Sequence, residues 1–345
     1  MMFYLLSIMS GFLECGWIAY GVTHSLPMWQ ILCYPLAYHL GNLFPIPFSV
    51  GDKWLRFGAI SSVVLSIVLL YWKMSDGVVF LLTCISIFIL SACIQSLRSG
   101  LKKDVNKLAK RVFRVVGFIL SPLAAFGSAC MLVIISIIVM ICLKGKKCES
   151  RVRGMSIAHG FSLVMIFHQL HYFFYAHITL ASIGILFSLR QSIYSVFAST
   201  FFFAGTWITY MMVEPLTKKM KIKNLPLFFI GHIFVCFLLQ SMSLIHNLDV
   251  FILLWLVTGL GGGVVYTITV QAKEMGFYEK TSMDIAENVG HTIGLVAAVA
   301  VSAITKDKAL EIMLRLGSFS AFFTILTMII TLRKGKKHEI VNNNG

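Results

Sequence analysis

MMFYLLSIMSGFLECGWIAYGV, residues 1–22, is an apolar run about as long as a bilayer is thick, and it carries one carboxylate, Glu14, about halfway along. A helix of about 20 apolar residues crosses the hydrocarbon core. Glu14 then falls near the midplane, where an ionised side chain is costly and normally faces a polar cavity, a partner or a substrate path. Reading this stretch as a membrane helix decides the fold class of the whole chain. It has no basic leader and no small-residue cleavage site, so it reads as a retained first span rather than a signal peptide.

The remaining composition agrees. Hydrophobic residues make up 58% of the 345 residues and charged residues 12%, with a mean hydropathy of +0.86. Soluble domains carry about 25% charged residues. Six apolar runs can be read in the amino-terminal half, near 3–23, 28–47, 57–73, 77–97, 108–125 and 128–143. Six more follow near 156–177, 194–213, 225–245, 250–271, 286–305 and 311–332. The expected fold class is an all-α polytopic membrane protein of about twelve transmembrane helices. The fifth and sixth runs are the tightest pair: only about 30 apolar residues follow Arg114, enough for two spans if the basic end of the fifth helix snorkels. Pro122 and the turn Phe126-Gly127-Ser128 mark the break between them.

Charge orders these runs. With the amino terminus in the cytoplasm, 24 of the 29 Lys and Arg fall in cytoplasmic segments, the densest being 98–114 and 144–153. That is the positive-inside pattern of a protein with both termini cytoplasmic. The net charge of +15 is spread over short loops instead of one soluble face, which argues against nucleic acid as a partner. The eight cysteines contain no CxxC, and no disulfide framework or zinc site is read from them. The expected organisation is a six-helix half over 1–143, a basic cytoplasmic linker over 144–154, a second six-helix half over 155–335, and a polar tail over 336–345. Short loops and no soluble domain point to a bacterial inner membrane.

A repeat supports the two halves. Gly51-Asp52-Lys53-Trp54-Leu55-Arg56 follows the second run, and Glu214-Pro215-Leu216-Thr217-Lys218-Lys219 follows the eighth. Each places an acid four residues before a base, Asp52 before Arg56 and Glu214 before Lys218. Twelve spans, two halves and these charged turns resemble the major facilitator superfamily. Gly117-Phe118-Ile119-Leu120-Ser121-Pro122, followed by Gly127, is similar to the GxxxGP signature of exporters in that superfamily, with Ser121 in the place of a glycine. The resemblance implies that Gly117 and Pro122 let the fifth helix pack closely and bend. It also implies that Asp52, Arg56, Glu214 and Lys218 act in gating, and that the first and seventh helices line a central cavity. Span four lacks the internal arginine that many proton-coupled antiporters use.

Polar residues inside the runs are the candidate site. Glu14 reads as a proton-coupling carboxylate, a substrate contact, or a structural acid paired to a basic or hydroxyl group. In the seventh run His168, His171, Tyr172 and Tyr175 share one helix face. That stripe suits substrate lining, interhelical hydrogen bonding, or, through His168 and His171, a metal; two histidines rarely hold a metal without a third ligand, and no metal site is assigned. The bland reading puts Tyr175 and His177 near the interface belt. Glu287 and His291 are i, i+4 neighbours, candidates for proton coupling or for a structural or gating pair. Gln95 and Tyr266 are further substrate-lining candidates, and His39 and His232 weaker ones. The glycines at 259 and 261–263 suit close packing or a bend, since no lysine follows to make a phosphate loop.

The function expected is a secondary active transporter, a proton-coupled exporter of a small organic molecule working by alternating access. Import, lipid flipping and movement of a metal or metal chelate are alternatives on the same fold. No GxxxxGK[ST] is present, so direct ATP drive is not expected. A membrane-embedded transferase is the alternative from another class, opposed by the absence of DxxxD and HxxxxD and by the scarcity of acids. No cofactor is expected. The partners are the lipid bilayer, protons and a small-molecule substrate, and the chain is expected to be a monomer.

Overall fold

The computed structural model describes residues 1–45, 52–72, 75–100, 106–143, 160–188 and 194–343. Among them are thirteen α-helices and no strand. They are α1 (Met2–Thr23), α2 (Met28–Leu43), α3 (Asp52–Tyr71), α4 (Asp76–Gly100), α5 (Lys107–Leu120), α6 (Ser128–Leu143), α7 (Gly160–Ser188), α8 (Tyr194–Lys219), α9 (Asn224–Met242), α10 (Leu248–Gly262), α11 (Tyr266–Glu274), α12 (Lys280–Thr305) and α13 (Ala309–Asn343). Eight segments are long and apolar enough to cross a membrane by themselves, α10 and α11 counting as one, Leu248–Glu274. With α2, α5, α6 and α8 the twelve expected traverses are complete.

Local chemistry explains the interruptions. Proline has no N–H to continue an α-helical ladder. Accordingly α5 stops at Leu120, and a 3-10 segment Ser121–Phe126 with Pro122 in its first turn leads to α6. The chain at Gly261-Gly262-Gly263 tightens into a second 3-10 turn, Gly263–Val265, before α11. Asn106 and Asn247 cap α5 and α10 with side-chain oxygens that accept backbone N–H bonds.

Several helices outrun the sequence reading: α8 continues past 213 to Lys219 and α13 past 332 to Asn343. The seventh span was expected to end at 177, but α7 runs on to Ser188. The residues after His177 remain largely apolar and contain no proline, so nothing stops the helix there. His177 is therefore in mid-helix, fully buried, and neither it nor Tyr175 sits at an interface belt. The basic linker 144–154 lies outside the described residues.

Contacts divide the chain into two compact units. One holds Met1–Gly154, His177–Ala204 and Ser302–Ile304, and the other holds Met155–Ala176, Gly205–Val301 and Thr305–Gly345. In the first unit α1 and α5 meet backbone to backbone. A methyl group on Gly11 would collide with the carbonyl oxygen of Arg114, and one on Gly117 with that of Ile8. Inside a bilayer there is no water to drive helices together, so such close approach is a main source of helix association. Gly41 brings α2 equally close to the Phe88 carbonyl on α4. Ser62 on α3 is 3.0 Å from Ser136 on α6.

The second unit repeats this scheme. Its first and fifth helices, α7 and α12, meet where a Cβ on Gly290 would lie 2.6 Å from that of Gln169, and one on Gly294 2.7 Å from that of Phe173. Its second and fourth meet where Gly259 of α10 abuts the Thr206 carbonyl of α8. Its third and sixth are tied by Ser318 of α13 donating to the Cys236 carbonyl of α9 at 3.0 Å. First with fifth, second with fourth and third with sixth is the pairing in both sets, α1–α6 and α7–α13 with α10 and α11 as one, which makes these sets six-helix pseudo-repeats although contacts assign His177–Ala204 to the first unit.

The surface is that of a protein in oil. On α3 the buried face carries Ala59, Ser62 and Ser66, while Phe57, Ile60, Val64 and Ile67 are exposed, Phe57 by 63%. This inverts the amphipathicity of a soluble helix.

The α1–α5 crossing yields the first prediction. Gly117→Val inserts a side chain against the α1 backbone and is expected to destabilise the protein by about 1–3 kcal/mol or more, the usual range for overpacking. Gly77→Ala, where an added Cβ meets nothing within 4 Å, should change stability by less than about 1 kcal/mol. Thermal midpoints of the two variants in detergent would check this.

Candidate functional site

The first unit gathers its polar side chains around Glu14. Glu14 lies three residues after Gly11 and Arg114 three before Gly117, so each shares the face of its helix that forms the crossing. The carboxylate is fully buried, and the Arg114 side chain is 21% exposed. Glu14 Oε2 accepts from Arg114 Nε at 3.2 Å and also from Nη2. The other oxygen, Oε1, faces two buried imidazoles. His39 Nε2 on α2 and His177 Nε2 on α7 each stand 3.5 Å away. Oε1 accepts no hydrogen bond of ordinary geometry. The carboxylate is thus held firmly on one side and loosely on the other.

One turn earlier on α1, Ser10 makes a second polar junction. Its hydroxyl pairs with Tyr38 of α2 at 2.5 Å and accepts from Arg98 Nη1 of α4 at 3.0 Å. Arg98 and Arg114 both fall in a segment that the charge pattern assigns to a cytoplasmic loop. The structure buries Arg98 and turns Arg114 inward instead, because each finds an acceptor on α1.

The seventh-helix stripe separates into two destinations. His168 and His171 are buried against His232 of α9, with His168 Nδ1 2.9 Å from His232 Nε2. Tyr172, partly exposed, sits edge-on to Tyr175 and Trp207 at ring separations of 5.7 and 6.4 Å. Tyr175 is buried beside it.

Other candidates take plainer positions. His291 stacks on Phe173 with ring centres 4.0 Å apart, and its Nε2 is 3.0 Å from Gln169 Oε1. Glu287 is half exposed and 4.0 Å from His291, so the imidazole's closer partner is Gln169. The Tyr266 hydroxyl bonds Thr217 at 2.8 Å. Lys218 pairs with Glu214 at 2.7 Å in a solvated position, where an ion pair is worth little. Gln95 is half-buried on α4, and the side chain of Asp52 lies outside the described residues.

What the sequence left out is the company of Glu14. Arg114 was legible in principle, since it stands at i−3 from the glycine expected to touch a neighbouring helix. His39 and His177 carried no such signal: one is the lone histidine of α2 and the other the last of three on α7, and only the packing brings them together.

The chain is similar in fold to solved transporters. A POT family transporter crystallised with a thioalcohol-conjugated peptide aligns over 96% of both chains with a TM-score of 0.65 at 9% identity. The nucleoside transporter NupG aligns over 96% of this chain and 99% of its own with a TM-score of 0.59 at 11% identity. No family model matches the sequence, and neither does any curated protein. At this identity the likeness is one of architecture. The chain shares the all-α fold of these two transporters.

The buried ion pair generates a stability prediction. Removing one partner of such a pair leaves an uncompensated buried charge and costs about 3–5 kcal/mol. Arg114→Met should therefore be strongly destabilising, whereas Glu14→Gln with Arg114→Met should recover part of the loss. A double-mutant cycle of thermal midpoints measures the coupling.

Proposed function

We propose that the chain is a secondary active transporter that couples movement of a small organic molecule to protons by alternating access, in a bacterial inner membrane with both termini cytoplasmic. The observation that carries this reading is the asymmetric hold on Glu14, one oxygen bound by Arg114 and the other facing His39 and His177. A proton arriving at Oε1 cancels the carboxylate charge and weakens its grip on Arg114. The tie between α1 and α5 then depends on whether the proton is present. The ring nitrogens of His39 and His177, each 3.5 Å from Oε1, are placed to relay that proton. Alternating access by two six-helix repeats is the mechanism such a fold supports. Export is the proposed direction, on the strength of Gly117 and Pro122 in the fifth span. Substrate contacts are assigned to Tyr172, Tyr175, Gln95 and Tyr266, and gating to Glu287 and His291 and to the charged pair Glu214 and Lys218. An enzyme is not proposed.

Because the similar folds belong to a peptide and a nucleoside transporter, dipeptides and nucleosides are the first compounds to try. Proteoliposomes with a trapped pH-sensitive dye should acidify or alkalinise when a transported compound is added. Glu14→Gln should abolish that proton movement while keeping substrate counterflow without a gradient. Proton movement unchanged in Glu14→Gln would remove the coupling assignment. A folded protein that moves none of a broad compound panel would remove the transporter assignment itself.

A further inference from the structure

We propose that His168, His171 and His232 form a binding site for a single divalent cation of the borderline class, zinc being the best fit. The site belongs to the second unit alone and stands whether or not Glu14 couples to protons. The three side chains are at most 2% exposed. One ring nitrogen from each lies within 4.8 Å of the others. The rings meet at steep mutual angles, 85°, 70° and 78°, so the imidazoles approach a common centre from different directions instead of stacking.

Hydrogen bonding accounts for two of the three histidines and not for the third. His232 Nδ1 donates to the Phe228 carbonyl at 2.8 Å, which leaves the lone pair on Nε2. This is the arrangement by which a backbone carbonyl orients a metal-binding imidazole. His168 Nδ1 donates to that Nε2 at 2.9 Å. His171 is fully buried, yet neither of its ring nitrogens makes a hydrogen bond of ordinary geometry, its one backbone interaction being with Phe167 a turn earlier. A leucine would fill the same volume without burying two unsatisfied polar atoms, each of which is destabilising. A ligand shared with His168 and His232 satisfies His171 and explains why an imidazole stands there.

The donor set selects the ion. Three neutral nitrogens, with no carboxylate or thiolate among them, do not suit magnesium or calcium, which demand oxygen. Imidazole donors suit zinc, copper, cobalt and nickel. A zinc–nitrogen bond of about 2.0–2.1 Å places two tetrahedral ligands roughly 3.3 Å apart. The His168–His232 pair therefore has to open by only about 0.4 Å, with the His168 proton moved from Nδ1 to Nε2 so that the Nδ1 lone pair can reach the ion. Three ligands also leave a fourth position for water or an anionic group. The other three-donor group, Glu14 with His39 and His177, is the poorer candidate, because the Arg114 guanidinium already sits on its carboxylate and would repel a dication. No spacing motif announces the site: His168 and His171 are i, i+3 on α7, but the third ligand is on α9.

The test uses the full chain, purified without a polyhistidine tag, stripped with chelator and titrated with cobalt. One equivalent of cobalt should give the intense visible absorption of a tetrahedral site, and zinc should displace it. His171→Ala and His232→Ala should lose that absorption and weaken zinc binding by about ten-fold or more, while His39→Ala should keep both. Should the alanine variants fail to fold, X-ray absorption of the zinc-loaded unaltered protein decides, with three imidazole scatterers expected. The proposal is overturned if the unaltered protein gives no cobalt absorption, or if zinc has fewer than two imidazoles around it. It is equally overturned if binding survives His232→Ala or vanishes in His39→Ala.

Discussion

Backbone contact between α1 and α5 is the constraint on which the first unit depends. Two glycines, Gly11 and Gly117, remove the side chains that would hold the helices apart. The residues one turn from them on the same faces, Glu14 and Arg114, are then delivered to one another. A buried carboxylate without a cation beside it would oppose folding. The crossing and the ion pair are therefore mutually required: small residues make the approach, and opposite charge makes the approach tolerable.

The second unit uses the same geometry with different chemistry. Its first and fifth helices cross at Gly290 and Gly294, but the polar pair beside that crossing is Gln169 with His291. A neutral amide and an imidazole stand where the first unit has a full ion pair. The architecture is shared between the repeats, whereas the buried ion pair at the crossing belongs to the first.

Much of this was legible in the amino-acid pattern. Apolar runs of bilayer length gave the traverses, Pro122 and the 126–128 turn gave the break between the fifth and sixth, and Glu14 stood out because a lone acid in oil needs a reason. The same signals failed where three-dimensional neighbours matter. Arg114 looked like a loop-end charge because sequence shows its basic neighbours and not the acceptor on another helix. His177 looked like a helix end because the polar cluster before it hides the apolar stretch that carries α7 on to Ser188. The grouping of His232 with His168 and His171 follows from α7 lying against α9, which no spacing rule encodes.

Ser10 adds a mechanical consequence. It ties α1 to Tyr38 and Arg98 one turn from the place where Glu14 ties α1 to Arg114. Helices α2, α4 and α5 thus all grip α1 through polar bonds in a region with little solvent to replace them. Sliding α1 gradually would break these bonds one after another with nothing gained in between. Displacing α1 means giving up bonds to three helices, an enthalpic cost that should make the rate of any such motion rise with temperature.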